Sequence, residues 1–306
     1  MNKIYDVVII GAGPAGLNAA LYASRSNLTT ALVEKGAPGG KMTQTSKIEN
    51  WLGFDLIEGY ELSMKAYDHA KSFGAEHIFG EVVKIDKIKD KEFHTLLSDN
   101  TTLVSKTVII ATGMVNREPS FIENYEMFKF RGISFCATCD GPLFKDKVVV
   151  ALGGGNSAVE ESAFLAKLAK KVYLVVKDDH FIAEARLVED LKKIPNVEIH
   201  MSTVIKSING QSGIEEFTLV NAKGEEIKIQ AQGFFPFIGF IPSNDSFKHL
   251  NITDKAGFIM TDENMETDVK DLYAIGDIRQ KTVRQIVTAA ADGAIAAKNI
   301  ADKLSI

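Results

Sequence analysis

The apolar positions at the start of the chain follow a strand, a helix and a second strand in close succession. A largely apolar run from Lys3 to Ile10 is typical of a short buried strand. The alanine-rich stretch from Leu17 to Ser26 has a helical pattern, and Thr30 to Val33 is apolar again. A strand, a crossing helix and a second strand of these lengths predict a βαβ unit with parallel strands.

The same succession recurs in the middle of the chain. Val148 to Leu152 and Lys171 to Val176 have strand patterns, and Val159 to Leu168 between them is helical. The other predicted elements are helices over 57–73, 184–193 and 283–304, strands over 76–88, 92–97, 102–111, 197–201, 233–241, 259–261 and 272–275, and short strands between 214 and 229. The pattern therefore predicts an α/β protein built around two βαβ units.

A glycine-rich turn joins the first strand to its helix. Residues 11–16 read G-A-G-P-A-G, which is G-x-G-x-x-G spacing, and Glu34 ends the next strand. Gly11 makes the tight turn, Gly13 lets backbone amides approach a pyrophosphate at the helix N-terminus, and Gly16 lets helix and strand pack closely. The Glu34 carboxylate can accept hydrogen bonds from a ribose. These features together predict a dinucleotide site.

A second glycine turn follows the strand of the second unit. Residues 153–158 read G-G-G-N-S-A, a G-x-G-x-x-A fingerprint with alanine at its third position. One interpretation is a second nucleotide site, and the other is a retained scaffold that holds no nucleotide. With both fingerprints, we predict an α/β fold with two Rossmann-like dinucleotide-binding domains, one of the two sites holding a flavin.

The two cysteines of the chain, Cys136 and Cys139, stand at C-x-x-C spacing. A zinc site would need further cysteine or histidine ligands, so one such pair leaves it half built and no metal is predicted. A structural disulfide is uncommon in a chain with no other cysteine and no secretory signal. The favoured interpretation is a redox dithiol at a helix start, with Asp140 placed to move the proton that accompanies each thiolate.

Composition narrows the class of protein further. A chain of 306 residues predicts about two domains, and a net charge of −5 gives no general attraction to nucleic acid or anionic lipid. The apolar run from Val7 to Ile10 is neither a signal peptide nor a membrane span. We therefore expect a cytoplasmic protein that binds no membrane and no nucleic acid.

With the fingerprints and the dithiol in place, the chain resembles the low-molecular-weight thioredoxin reductases along nearly its full length. The motifs that match are residues 11–16, 49–51 (E-N-W), 111–113 (A-T-G), 136–140 (C-A-T-C-D), 153–158, 276–277 (G-D) and 284–285 (R-Q). The resemblance implies an FAD-binding domain made of residues 1–115 and 241–306. An NAD(P)H-type domain with the dithiol would be inserted at 116–240, and the protein would be a homodimer.

The resemblance also implies roles for individual residues. Gly11, Gly13, Gly16 and Glu34 would hold the adenosine half of FAD, Asp277 its ribityl or pyrophosphate region, and Gln285 would lie along the isoalloxazine ring. The other implied cofactor-binding residues are Pro14, Ala15, Gly40, Lys41, Asn50, Ala111, Thr112, Gly113, Arg284 and Ile286. Those of a nicotinamide-nucleotide site are Gly153, Gly155, Asn156, Ser157 and Ala158. Cys139 would face the flavin, Cys136 would attack the disulfide of thioredoxin, and Asp140 would be the acid or base.

One stretch departs from the family pattern. NADPH-using members carry H-R-R-x-x-x-R after the second fingerprint, and its arginines clamp the 2′-phosphate; residues 176–182 here read V-K-D-D-H-F-I. Losing charge-assisted contacts and gaining like charges at Asp178 or Asp179 costs on the order of 1–3 kcal/mol each. That is roughly two to four decades of affinity, which argues against tight NADPH binding.

Three interpretations of the electron donor and activity stay open at the level of sequence. The enzyme is a thioredoxin reductase fed by NADH or by ferredoxin or flavodoxin, or it uses NADPH weakly. The third interpretation, of another class, is a redox-responsive binding protein whose flavin and dithiol cycle without turnover. The intact C-A-T-C-D string argues against the third, since a pure binding module does not need it.

Overall fold

A computed structural model describes residues 3–45, 48–129 and 131–304. The chain forms two compact units: the first consists of Met1–Val115 and Ile241–Ile306, and the second of Asn116–Phe240. Each unit contains its own sheets and its own core. In the described part of the chain, no helix combines the length and the apolar character needed to span a bilayer.

The secondary structure follows the alternation that the sequence predicts, with boundaries that differ by a few residues. The strands are β1 Ile4–Ile10, β2 Thr30–Glu34, β3 Glu76–Phe79, β4 Val82–Lys89, β5 Glu92–Leu97, β6 Thr102–Ile110, β7 Met114–Asn116, β8 Val148–Leu152, β9 Lys171–Val175, β10 Val197–His200, β11 Thr203–Asn209, β12 Glu216–Asn221, β13 Glu226–Gln230, β14 Gly233–Pro236, β15 Phe240–Pro242 and β16 Leu272–Ala274. The α-helices are α1 Pro14–Arg25, α2 Gly59–Ser72, α3 Tyr125–Phe128, α4 Ala137–Asp140, α5 Asn156–Leu165, α6 Ala185–Lys192 and α7 Ile286–Leu304.

The first unit is organised on a sheet of order β3-β2-β1-β6-β5-β4. Strands β1, β2, β3 and β6 are parallel, and β4 and β5 complete the sheet as an antiparallel hairpin. Strand β6 is long enough to pair β5 with its first half and β16 with its last residues. The chain runs outward from β1 in one direction through β2 and β3, and then continues on the other side of β1 with β6. In such sheets, ligands bind beyond the carboxyl ends of the strands at the point where the strand order changes direction.

The second unit repeats this arrangement on a smaller scale. Its parallel sheet has the order β10-β9-β8-β14, and β11, β12 and β13 form a separate antiparallel sheet. The α/β fold predicted from the sequence is therefore confirmed. Several strands differ from the prediction. The run 76–88 is divided between β3 and β4 at Gly80, the run 233–241 is divided between β14 and β15, and β7 and β11 were not predicted. The strand predicted over 259–261 is wrong, because Ile259 makes only isolated bridges to Thr253 and Arg279.

The core of the first unit shows why the second half of β1, from Val7 to Ile10, is an unbroken apolar run. Val7 and Ile9 point into one cluster with α1 and α7, whereas Val8 and Ile10 point into another on the opposite face of the sheet. A parallel strand buried on both faces is apolar at most positions. The buried Asp6 in β1 is compensated by hydrogen bonds from Thr29 and Lys106. Helices α1 and α7 cross closely at Gly293, where a Cβ would lie only 2.4 Å from the carbonyl oxygen of Ala15.

Candidate active site

The first glycine turn lies at the end of β1, where the strand order reverses. Gly11 has φ +104°, and a Cβ there would stand 2.5 Å from the carbonyl oxygen of Ala111 at the end of β6. Only glycine fits this close approach without strain. Gly13 is the residue before α1, and a Cβ on it would meet nothing within 4 Å. The turn is thus tight beneath Gly11 and open above Gly13, which suits a bound pyrophosphate.

Glu34 lies at the end of β2 beside this turn. Its carboxylate accepts the N–H of Ala12 at 2.8 Å and the N–H of Gly36 at 2.9 Å. The carboxylate opens onto a cavity of about 170 Å³ whose lining includes Gly11, Glu34, Gly80, Thr112, Ser243 and Asp245. The Thr112 hydroxyl donates to the carbonyl of Ser243 at 2.7 Å, so residues from both stretches of this unit build the pocket.

Two further segments reach the glycine turn. The N–H of Gly39 donates to the carbonyl of Ala12 at 2.7 Å, which places Gly40 against Gly13. The Lys41 ammonium donates to Asp277 Oδ2 at 2.8 Å, and the Asp277 side chain is only 16% exposed. This ion pair joins the Gly40–Gln44 turn to the Gly276–Ile278 turn.

Asn50 and Gln285 form a second polar pair in this unit. The Asn50 amide donates to Gln285 Oε1 at 3.0 Å, and the neighbouring Arg284 stacks over the Phe258 ring at 4.3 Å. Beside them lies an apolar groove of about 230 Å³. Its lining includes Pro14, Leu17, Leu21, Met42, Trp51, Leu62 and Ile286.

The predicted cofactor residues therefore lie together within the first unit, and their geometry fits FAD. The open space above Gly13 is a cradle that a side chain would fill, and Lys41 and Glu34 offer a cation and a hydrogen-bond acceptor beside it. Ala15 packs beneath the Gly276 turn, and Gly113 has φ +61° just after β6. The role of each residue toward the cofactor remains a prediction.

Cys136 and Cys139 are joined by a disulfide in the second unit. Cys136 is the residue before α4, a helix of only four residues. A helix this short has little macrodipole. Direct hydrogen bonds to the sulfur therefore stabilise a thiolate more than the helix start that the sequence predicted. The Cys139 N–H donates to Cys136 Sγ at 3.1 Å, and the Thr138 hydroxyl lies 3.3 Å from the same sulfur. Cys136 is half-buried and Cys139 is exposed.

Ser134 connects Asp140 to the cysteine segment, and sequence reasoning missed it. Its buried hydroxyl donates to Asp140 Oδ2 at 2.6 Å and accepts the Cys136 N–H at 3.1 Å. Its own N–H donates to the carbonyl of Phe234 in β14 at 2.9 Å. The Asp140 carboxylate is thus fixed to the sheet through one serine.

The second glycine turn follows β8 and begins α5. Gly153 in this turn has φ +142°. At the start of α5, the side-chain oxygen of Asn156 accepts the backbone N–H of Glu184 at 2.8 Å. Ser157 is exposed at the helix start, whereas Ala158 is fully buried against the turn. The Ile182 N–H donates to the carbonyl of Gly154 at 2.9 Å, which brings the 176–182 stretch beside the turn.

This stretch carries the carboxylates Asp178 and Asp179 and the basic side chain of Lys177, but no arginine. Asp179 Oδ1 lies 2.7 Å from His180 Nδ1, and this contact raises the pKa of the exposed histidine. Ile182 is 76% exposed, and its side chain lies close to Gly155. An exposed aliphatic side chain beside a glycine turn offers no hydrogen bond to a phosphate.

Helix α5 also carries Glu161, a partly buried acid. Burial, with a smaller contribution from Glu160, raises the pKa of Glu161 to about 7. Its Oε2 has no hydrogen-bond partner among the residues that the structure describes. In the same described ranges, no group of three or more His, Cys, Asp or Glu side chains is arranged to hold a metal ion.

Comparisons with known proteins show which family the chain belongs to. Residues 5–293 match the family described as Pyridine nucleotide-disulphide oxidoreductase. The thioredoxin reductase of Mycoplasmopsis pulmonis is 47% identical over 303 residues, covering 99% of this chain and 98% of the relative. The solved thioredoxin reductase of Lactococcus lactis is 37% identical with a TM-score of 0.93, covering 98% and 99% of the two chains. The solved ferredoxin-flavin thioredoxin reductase of Clostridium acetobutylicum is 29% identical with a TM-score of 0.53, covering 100% and 99%.

The fold, the glycine turns and the disulfide define a flavin-dependent disulfide oxidoreductase whose cofactor is FAD. Within that class, the chain belongs to the low-molecular-weight thioredoxin reductase family. The resemblance stated from the sequence motifs is confirmed by relatives that match almost the whole chain.

Proposed function

We propose that this protein is an FAD-dependent thioredoxin-disulfide reductase that passes two electrons through Cys136 and Cys139 to thioredoxin. The observation that carries the proposal is the disulfide itself: both cysteines of the chain close into one bond, with Asp140 held beside it by Ser134. FAD, held by the glycine turn at 11–16 with Glu34, Lys41 and Asp277, supplies the electron pair when bound.

The first half of the reaction opens the disulfide. Two electrons and two protons convert the Cys136–Cys139 bond to two thiols, and one thiol must lose its proton before it can attack. The Cys139 N–H and the Thr138 hydroxyl both lie near Cys136 Sγ and stabilise negative charge on that sulfur. These contacts support Cys136 as the attacking residue, and Asp140 as the group that accepts or returns the proton.

The second half transfers the electrons to thioredoxin. The Cys136 thiolate attacks one sulfur of the thioredoxin disulfide, forms a mixed disulfide and releases the other sulfur as a thiolate, which takes up a proton. The Cys139 thiolate then attacks Cys136 Sγ, breaks the mixed disulfide and frees the second thioredoxin thiol. The Cys136–Cys139 disulfide is restored, and thioredoxin has gained two electrons and two protons.

The test is a pair of single-cysteine variants. Cys136→Ser and Cys139→Ser should both abolish thioredoxin turnover, because the chain has no other cysteine to substitute. Cys139→Ser alone should accumulate a mixed disulfide with oxidised thioredoxin, since the resolving thiol is gone. Turnover by Cys136→Ser would refute the proposal. A wild-type enzyme that cycles its disulfide but reduces no thioredoxin would favour the redox-responsive binding protein instead.

We further propose that NADPH is not the preferred electron donor. A turn that carries Asp178, Asp179 and the aliphatic Ile182 offers no guanidinium group to a 2′-phosphate. A carboxylate can instead accept a hydrogen bond from the free 2′-hydroxyl of NADH. The similarity to the Clostridium acetobutylicum enzyme supports reduced ferredoxin as an alternative donor, and flavodoxin is a second candidate of the same kind.

Stopped-flow absorbance of the bound flavin separates these donors. NADPH should bleach the flavin band no faster than NADH does at equal concentration. If both nucleotides are slow, a reduced low-potential ferredoxin or flavodoxin should be fast. Rapid bleaching by micromolar NADPH, with NADH much slower, would contradict the proposal.

We also propose a homodimer that works in the cytoplasm. The apolar groove at Leu21, Trp51 and Ile286 supports an interface on the first unit, because apolar surface of this kind is stabilised by contact with a partner. Sedimentation velocity should give twice the mass of the 33.4 kDa chain. Trp51→Lys should shift the distribution toward monomer, while a wild-type monomer at micromolar concentration would refute the proposal.

A further inference from the structure

Asp292 is a buried carboxylate in the middle of α7, outside every motif that the sequence singled out. Its side chain is 8% exposed, and it lies on the face of α7 that packs into the first unit. A buried carboxylate is stable only when cations and hydrogen-bond donors surround it. The partners of Asp292 therefore show what it is placed to hold.

Two of those partners are cations from the segment that precedes α7. Arg279 Nη1 donates to Asp292 Oδ1 at 3.1 Å, and Lys281 Nζ donates to Oδ2 at 2.8 Å. Both side chains are themselves largely buried. Arg279 Nε also donates to Thr261, and Lys281 Nζ also donates to the carbonyl of Thr288. The segment is thus tied to α7 by a buried charged cluster.

The third partner is a backbone group of the cofactor turn. The N–H of Gly276 donates to Asp292 Oδ2 at 2.9 Å. Gly276 directly precedes Asp277, whose carboxylate is paired with Lys41. The turn is therefore held on one side by Asp292 and on the other by Lys41. The backbone that carries Asp277 has its position set by a carboxylate in α7.

We propose that Asp292 is a positioning residue for FAD, fixing the Gly276–Asp277 turn and so setting the affinity of the protein for the cofactor. The inference rests on the proposed role of Asp277 toward FAD. Without the carboxylate, the Gly276 N–H loses a charge-assisted acceptor and Arg279 and Lys281 lose their shared anion. The turn is then free to move away from the cofactor.

The experiment measures FAD affinity and stability separately. Apoprotein of each variant is titrated with FAD and followed by flavin fluorescence polarisation, and thermal unfolding is recorded with and without FAD. Asp292→Ala should weaken FAD binding at least tenfold and reduce the rise in unfolding temperature that FAD produces. Lys281→Met is the matched control: it removes one cation but keeps the carboxylate on Gly276, so its FAD affinity should match the wild type even if the apoprotein is less stable.

The outcomes distinguish this inference from the cofactor site it rests on. Wild-type affinity in Asp292→Ala, or an equal loss in Lys281→Met, would overturn the positioning role and leave the cofactor site intact. Wild-type protein that binds no FAD would instead overturn the proposed site. Should Asp292→Ala fail to fold, Asp292→Asn decides the matter. Its amide oxygen is a weaker acceptor for Gly276, so a several-fold loss supports the role and wild-type affinity overturns it.

Discussion

The Ser134 hydroxyl donates to Asp140 Oδ2 at 2.6 Å while accepting the N–H of Cys136 at 3.1 Å. One buried oxygen therefore links the proposed acid or base to the backbone of the proposed nucleophile. Because the Ser134 N–H is itself bonded to β14, the link anchors both groups to the sheet of the second unit. A carboxylate that must meet a thiol in one geometry gains from such an anchor.

Replacing Ser134 should slow the thiol chemistry without unfolding the protein. We expect Ser134→Ala to lower kcat for thioredoxin reduction by about tenfold, because Asp140 loses the donor that orients it. KM for thioredoxin should change little, since no surface residue is altered. Ser134→Thr keeps the hydroxyl and should recover most of the rate. Equal losses in both variants would point to packing and contradict the positioning role.

Gly13→Ala should separate cofactor binding from folding. A Cβ at Gly13 meets nothing within 4 Å, and its φ of −71° is open to alanine, so the apoprotein should unfold at the wild-type temperature. The added methyl group would occupy the proposed pyrophosphate cradle, and the purified variant should lose its yellow colour. Gly16→Ala is the contrasting variant, because its Cβ would stand 1.9 Å from the Gly11 carbonyl oxygen and should destabilise the fold. Full FAD content in Gly13→Ala would rule out this placement of the cofactor.

Restoring the arginine clamp should change the donor preference. We expect the triple variant Lys177→Arg, Asp178→Arg and Ile182→Arg to reduce its flavin faster with NADPH than with NADH in stopped flow. The lost guanidinium contacts and the added carboxylates together cost roughly two to four decades of affinity for NADPH, so we expect the triple variant to regain ten- to hundred-fold. A matched triple change to glutamine at the same positions should give no preference for NADPH. No gain from the arginines would mean that the second site is closed for another reason.

Glu161 should make stability fall with rising pH. Its pKa near 7 in the folded protein lies above its ordinary value of 4.5, so between these pH values the unfolded chain has lost a proton that the folded chain keeps. The free energy of unfolding should therefore decrease from about pH 4.5 to about pH 7 and then level off. At roughly 1.4 kcal/mol per pKa unit, the upper limit of this loss is about 3 kcal/mol.

Urea unfolding at pH 5, 6, 7 and 8 measures this effect as a difference between variants. Glu161→Gln should be more stable than the wild type at pH 8, and the difference should shrink as the pH falls to 5. Glu160→Gln, an exposed neighbour in the same helix, should leave the wild-type slope almost unchanged. Parallel curves for wild type and Glu161→Gln would show that the acid does not titrate in this range.

Patterns among neighbouring residues determine the fold class and the family of this protein. The apolar period of β1 and α1, the glycine spacing at 11–16 and 153–158 and the C-x-x-C pair are properties of neighbouring residues, so the sequence alone predicts the α/β fold and the family. The division of the run 76–88 at Gly80 was not predicted, because β3 pairs with β2, a strand distant in the chain, whereas β4 pairs with β5. Strand β11 was also missed, although it pairs with β12, the next strand along the chain. The roles assigned to single cofactor residues remain predictions.

Only the tertiary structure decided which ordinary residues support the chemistry. A serine two positions before a cysteine and an aspartate within an alanine-rich helix belong to no motif, and nothing local marks Ser134 or Asp292. Their importance follows from the residues that folding brings next to them. Asp140 and Phe234 contact Ser134, and the N–H of Gly276 donates to Asp292, which lies 16 residues further along the chain. A buried polar group takes its function from its hydrogen-bond partners, and those partners are fixed by packing rather than by spacing in the sequence.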